Sequence, residues 1–284
     1  MKTAIIGVSG ALGRAIFDLL RTDANGHDIV LTSRDPSKLE WAEGMAGVEI
    51  RTLDLDAPEN AAKVLADCEQ IVFCPILSSS GPTARQMRAN GSSAHLILFS
   101  SNNVGIDFES PVYAALRAEE ETVSTMSGGK LAIIRPCMIY GNRSDGNIGR
   151  LIGLAERFRV LPLMGAGTAR QQPVHYDDLA LLTIHVLKNQ SQPLSKVGAG
   201  GPEVHQMKEI YRIISEEVSG PVVTVRVPDI ILQLVRKIRG QGADLSDAQI
   251  RRADADRLQT WPAAEGWQAR ISMRDGIRQI AALR

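Results

Sequence analysis

The sequence predicts a doubly wound α/β fold of the Rossmann type, a parallel sheet with helices on both faces, joined to a smaller, mainly helical C-terminal lobe. Strand-length apolar runs alternate with helical periodicity through the first half of the chain. The first of these runs turns through spaced glycines directly into a helix. After Tyr140-Gly141 the alternation gives way to longer loops and helical segments.

The first run, Thr3 to Ile6, reads as a buried strand. Gly7, Gly10 and Gly13 follow at three-residue spacing, and Leu12, Ala15, Ile16, Leu19 and Leu20 then share one helix face. In such a corner Gly7 permits the tight turn, Gly10 lets the backbone approach a pyrophosphate, and Gly13 lets helix and strand pack closely. Ser9, Ala11 and Leu12 complete the turn, and the free N–H groups of the helix start point at the phosphates. Further strands are expected at 28–33, 48–53, 70–75, 95–100 and 131–135, and helices beginning near residues 36, 59, 82 and 112. Asp35 suits the cap of the helix at Pro36, and Gly44 suits its end.

Beyond Gly141, Asn142-Arg-Ser-Asp-Gly-Asn147 reads as a loop, with a helix over 147–158. Its Asp145 and Asn147 fit either a substrate contact or a turn with a helix cap. Asp177-Asp178 opens a helix ending near Lys188. Residues 203–284 read as mostly helical, with a short strand at 222–227 and a capping box at Ser246 and Gln249. The expected division is a dinucleotide-binding domain of 1–140 and 171–200, and a substrate lobe of 141–170 and 201–284.

Composition narrows the function. The 284 residues are 44% hydrophobic, enough for a sizeable core. A formal net charge of zero argues against general affinity for nucleic acid or an anionic membrane. No apolar run reaches the length of a membrane span, and a first strand at the N-terminus leaves no room for a signal peptide. Three cysteines without metal-site spacing fit a reducing cytoplasm, and no histidine pattern suggests a metal.

The second strand identifies the expected cofactor. NAD-binding folds place an acidic residue at its end, on the ribose hydroxyls. Here Ser33 and Arg34 stand there. A guanidinium pairs with a 2′-phosphate through two parallel bonds, so NADP is favoured over NAD, with Asp35 left to cap the helix.

In order and spacing, these segments resemble the extended and atypical branches of the short-chain dehydrogenase/reductase superfamily. The glycines match the G-x-x-G-x-x-G form of those branches. Asp54 and Leu55 follow the third strand like the family's Asp-apolar pair beside the adenine, and Cys74 and Pro75, after the fourth, are expected beside the cofactor. Cys74 reads there as a small buried residue rather than a nucleophile. Phe99-Ser-Ser-Asn-Asn-Val104 resembles the serine turn of the active site, with Ser101 the better match and Ser100 the second. Ile134-Arg-Pro-Cys-Met-Ile-Tyr-Gly141 is similar to a segment of sugar-nucleotide epimerases and dehydratases in which the proline, here Pro136, lies against the nicotinamide. Gln172 to Leu179 resembles a later strand-to-helix junction of the same proteins.

The chain departs from the family at the catalytic pair. Tyr-x-x-x-Lys becomes Tyr113-Ala-Ala-Leu-Arg117, both side chains on one helix face. The resemblance implies an oxidoreductase or epimerase-like enzyme moving hydride between NADP and a carbonyl or carbinol carbon of a nucleotide sugar or similar small polar substrate. Tyr113 would exchange the proton, Ser101 would bond the substrate oxygen, and Arg117 would hold the ribose. It also implies a homodimer through the helices near 82 and 112. Because arginine cannot join a proton relay by deprotonating, a second expectation stands beside the first: a dinucleotide-binding sensor or scaffold without turnover, as in branches resembling nitrogen-metabolite-repression regulators or an accessory subunit of respiratory complex I.

Overall fold

The structure is a computed structural model and describes residues 1–22, 28–227 and 255–283. In chain order its first elements are β1 (Lys2–Ile6), α1 (Ala11–Arg21), β2 (Asp28–Ser33), β3 (Val48–Thr52), α2 (Pro58–Val64), β4 (Gln70–Ile76), α3 (Leu77–Ala89), β5 (His95–Phe99), α4 (Pro111–Ser124) and β6 (Leu131–Pro136). There follow β7 (Ile139–Tyr140), α5 (Ile148–Phe158), β8 (Val160–Met164), β9 (Arg170–Gln171), β10 (Val174–His175), α6 (Tyr176–Asn189), β11 (Leu194–Ala199), β12 (His205–Gln206), α7 (Met207–Glu217) and β13 (Val223–Val227), and a C-terminal helix, Met273–Ala282.

The chain folds as two compact units. The first comprises Met1–Pro136, Tyr176–Ala199 and Thr260–Gln268. Its core is a seven-stranded sheet in the order β11-β6-β5-β4-β1-β2-β3, every neighbouring pair parallel. Every residue of β5 and β6 is buried, which explains why these strands read as continuous apolar runs rather than as alternation. Strand order reverses between β1 and β4, in register through Ile6 and Phe73, and this switch point sets the Gly7 turn against Cys74 and Pro75. Ligands of open α/β sheets bind at the carboxyl ends of strands at such a point.

The second unit comprises Cys137–His175, Gly200–Gln259 and Ala269–Arg284. Its apolar core gathers Tyr140, Ile148, Ile152, Ile210, Ile214 and Ile277. Strands β8 and β13 pair in parallel, and the Tyr211 hydroxyl donates to Pro162 O at 3.1 Å. A capping box between Gln206 and Glu209 starts α7.

Four expectations are corrected. The helix expected near 82 begins at Leu77, and Pro82 sits inside it. There the missing N–H of proline costs one helix bond, which misdirects a reading that treats proline as a helix start. The segment after Asp35 is a 3-10 helix over Pro36–Ala42. Residues 255–272, expected to be helical, run without regular secondary structure up to the C-terminal helix. Within them 260–268 belongs to the first unit rather than the lobe: Thr260 N and Oγ1 both donate to Asn102 Oδ1 at 2.8 Å, and Gly198 N donates to Pro262 O at 2.7 Å. Backbone hydrogen bonds of this kind leave no periodic trace in the sequence. Ser246 and Gln249 lie outside the described residues.

Candidate dinucleotide and active site

The glycine corner has the close packing that a phosphate site needs. Gly7 takes φ +83°, a conformation glycine adopts without strain, and its carbonyl accepts from Gly10 N at 3.1 Å. A Cβ on Gly13 would lie 2.5 Å from Gly7 O and 2.7 Å from Val8 Cα, so only glycine allows α1 to approach β1 this closely. Gly10 caps α1 without a side-chain bond, and the first turn carries no acidic residue. The N–H groups of Ala11, Leu12 and Gly13 therefore begin a helix whose positive end is uncompensated.

Beside this corner lies a cleft of about 310 Å³. Seven of the expected cofactor residues line it: Gly7, Ser9, Ser33, Arg34, Asp54, Leu55 and Pro75. Thr32, Asp35, Lys38 and Ser79 join them. A second cavity of about 350 Å³ shares Ser9 and Lys38 and adds Val8, Arg14 and Trp41. Trp41 is held edge-on to Phe17 at 5.2 Å between ring centroids, with the Arg14 guanidinium 3.6 Å above its own ring.

The charges around the cleft divide into engaged and available. Asp35 Oδ1 accepts from Ser37 N at 3.2 Å and from Ser37 Oγ at 2.7 Å, which holds its carboxyl below the usual range. Asp54 Oδ1 accepts from Asp56 N at 3.1 Å. Arg34 is exposed and makes no hydrogen bond or ion pair with any described residue. Lys38, four residues further on, is exposed; its backbone N–H donates to Asp35 O at 3.3 Å, and its ammonium makes no hydrogen bond or ion pair with any described residue. The sequence reading missed Lys38. Its four-residue offset from Arg34 was the available signal, obscured by assigning the segment to a helix cap.

The other expected residues lie further along the sheet edge of the same unit. Ser101 Oγ accepts from Asn103 N at 3.3 Å and caps a short 3-10 turn, Asn102–Gly105. Ser100 is buried, and its Oγ has no hydrogen-bond partner among the described residues. Tyr113 packs against the apolar core, and its hydroxyl accepts from Asn103 Nδ2 at 2.9 Å. Arg117 Nη2 donates to Val104 O at 2.6 Å, and its guanidinium lies 4.6 Å from the centre of the Phe108 ring. Pro136 is buried at the end of β6. Beneath it Arg135 and Glu120 form a buried ion pair, with Arg135 Nε 2.9 Å from Glu120 Oε1 and the guanidinium 3.6 Å above Trp261.

A model of a known family matches residues 7–151, just over half of the chain. The chain belongs to the NAD(P)H-binding family. Its fold is that of nucleotide-sugar epimerases and dehydratases solved with NAD. The UDP-glucuronic acid 4-epimerase of Bacillus cereus, solved with UDP-glucuronic acid and NAD, superposes with TM-score 0.75 at 13% identity, over 99% of this chain and 98% of that one. A nucleoside-diphosphate-sugar epimerase from Staphylococcus aureus gives TM-score 0.73 at 20% identity, over 98% of this chain and 100% of that one. In sequence, an Arabidopsis thaliana protein named NADH dehydrogenase [ubiquinone] 1 alpha subcomplex subunit 9, mitochondrial, is 31% identical over 108 residues, which is 36% of this chain. The match spans about a quarter of that relative, 26% of its length.

The remaining candidates in this NAD(P)H-binding chain have structural partners. Burial pushes the Cys74 and Cys137 thiols up to about 12, which favours the protonated thiol at neutral pH. Asp145 Oδ1 accepts from Asn147 N at 2.9 Å and Gly149 N at 2.8 Å, the turn-and-cap alternative. His175 stacks edge-on to Tyr140 at 5.2 Å. Among the described residues no cluster of three or more His, Cys, Asp or Glu could hold a metal, and no helix is long and apolar enough to cross a membrane.

Proposed function

We propose that this chain is an NADP(H)-dependent oxidoreductase of the epimerase/dehydratase type, acting on a carbonyl or carbinol of a small polar substrate. The observation that carries the reading is the exposed Arg34, unpaired among the described residues, with Lys38 lining the same cleft, at the end of β2 where an NAD site carries an acid. Arg34, Ser33 and Lys38 take the 2′-phosphate. The backbone from Gly7 through Ser9, Gly10, Ala11, Leu12 and Gly13 receives the pyrophosphate. Asp54 and Leu55 border the adenine, and Cys74, Pro75, Ser100 and Pro136 border the rest of the cofactor. When bound, the nicotinamide supplies or accepts hydride. Tyr113 exchanges a proton with the substrate oxygen and Ser101 bonds that oxygen. A nucleotide sugar is the substrate class suggested by the names of the structurally similar proteins.

The test is a titration with NADPH and with NADH, read by tryptophan fluorescence through Trp41 in the neighbouring cavity. NADPH is expected to bind at least about tenfold tighter, and Arg34→Ala to remove most of that margin, the worth of a charge-assisted pair. NADH binding as tightly as NADPH would overturn the assignment of Ser33 and Arg34.

A second reading, a dinucleotide sensor or scaffold without turnover, is favoured by two observations. The residue replacing the family's lysine gives its guanidinium to a backbone carbonyl, and the Arabidopsis relative is named as a respiratory-complex subunit. Binding of both redox forms with no turnover across a panel of carbonyl compounds supports this reading; turnover of any one defeats it.

A further inference from the structure

We infer that Asn103, rather than Arg117, is the group that supports the reacting oxygen of Tyr113, so that the serine turn takes over the task the family gives to lysine. The inference rests on the oxidoreductase reading above. Asn103 bridges the two expected catalytic residues. Its backbone N–H donates to Ser101 Oγ at 3.3 Å, and its side-chain amide donates to the Tyr113 hydroxyl at 2.9 Å. Arg117 is committed elsewhere, to Val104 O at 2.6 Å and to the face of Phe108. The arginine therefore clamps the turn that carries Asn103, while Asn103 makes the contact with the phenol.

The direction of the bond sets the chemistry. An amide N–H can only donate, so in this bond the Tyr113 oxygen is the acceptor. In the reducing direction, a bound nicotinamide would supply hydride to the carbonyl carbon, and the carbonyl π pair would move onto its oxygen. That oxygen takes the Tyr113 proton, the Tyr113 O–H pair stays on the phenolate oxygen, and water returns a proton afterwards. The Asn103 N–H already points at the atom on which the negative charge collects, and a bond to a charged acceptor is stronger than one to a neutral acceptor. This is preorganised stabilisation that a neutral side chain supplies without a formal charge. Asn102, the neighbour in the turn, is anchored separately: its Oδ1 accepts both donors of Thr260, which fixes the turn from its other side.

The experiment needs no substrate. The full-length chain is labelled with [13Cζ]tyrosine, and its four tyrosines are followed by NMR as pH rises, with Tyr113→Phe assigning the relevant resonance. The other charged groups nearby in the chain, Asp107 and Glu109 before α4 and Glu119 and Glu120 within it, are the same in every variant. Asn103→Leu should raise the pH at which the Tyr113 resonance passes from phenol to phenolate by about one unit, a tenfold effect appropriate to one hydrogen bond on a charged oxygen. Asn103→Asp, nearly isosteric but without the donor, should raise it at least as far. Arg117→Gln should raise it by less than either. An amide correlation spectrum matching the wild type away from residue 103 separates loss of the bond from loss of the fold. A midpoint that ignores both Asn103 variants, or moves furthest in Arg117→Gln, overturns the inference. Failure of the oxidoreductase reading shows differently, as absence of carbonyl turnover by the wild type, whichever way the resonance behaves.

Discussion

The two ends of the carboxyl edge of the seven-stranded sheet use their charged groups in opposite ways. At the β1–β2 end the cations Arg34 and Lys38 are exposed beside a cleft, and among the described residues their side chains make no ion pair. At the β5–β6 end the cations are consumed internally: Arg117 holds a backbone carbonyl, and Arg135 is buried against Glu120. A guanidinium bonded inside the protein fixes structure, and one left in solvent beside a concave surface awaits an anion. The first end thus has the properties of a ligand site on its own. The second is a tightly braced framework in which Ser101 Oγ and Tyr113 Oη, the proposed reactive atoms, are joined through a neutral residue, Asn103.

The largest expected effect lies in that bracing. Glu120 and Arg135 are 3% and 8% exposed, and their pair ties α4, which carries Tyr113, to β6, which ends at Pro136. Glu120→Ala leaves a buried guanidinium without its carboxylate and should cost about 3–5 kcal/mol in a denaturant titration. NADPH affinity of the folded protein should change by less than about twofold, because the cleft at β1–β2 shares no partner with the pair. A large loss of affinity without loss of stability would break the separation between the two ends.

Gly13→Ala strikes the other end. Its Cβ would meet the backbone of Gly7 and Val8, so α1 must shift from the turn after β1 at a cost of about 1–3 kcal/mol. Calorimetry should show NADPH and NADH weakened together if the displaced helix start receives the pyrophosphate common to both, as proposed. Unimpaired binding would remove the glycine corner from the phosphate site.

The same contrast explains what the sequence disclosed. The glycine corner was legible because each glycine answers a local steric demand, seen here in the φ of Gly7 and the backbone contacts at Gly13. The strands were legible because β5 and β6 are buried on both faces and read as unbroken apolar runs. Tyr113 and Arg117 were singled out by resemblance to the family's Tyr-x-x-x-Lys pair, yet that pattern could not say that Arg117 turns to Val104 or that Asn103 reaches the phenol. Those contacts join residues 10 and 13 positions apart through a loop whose path no periodicity encodes. The helix around Pro82 and the return of 260–268 to the first unit were hidden for the same reason: tertiary packing tolerates the proline, and isolated backbone bonds hold the returning segment.

The smallest predicted effect is the sharpest test of the exposed end. The 2′-phosphate of NADPH loses its second negative charge as pH falls through about 6, while NADH has no such group. Asp35 lies in the same cleft, and its carboxyl, held below the usual range by Ser37, stays ionised over that interval and adds no titration of its own. If Arg34 and Lys38 face the phosphate, removing one of its charges weakens their attraction. The NADPH dissociation constant should then rise by about threefold between pH 7.5 and 5.5, with that of NADH flat, a modest change because the site is open to solvent and screened. The sign discriminates among arrangements. A ratio that stays constant would place the phosphate away from the two cations. A ratio that moves toward NADPH in acid would mean the ligand faces carboxylates instead, since their repulsion is what protonation would relieve.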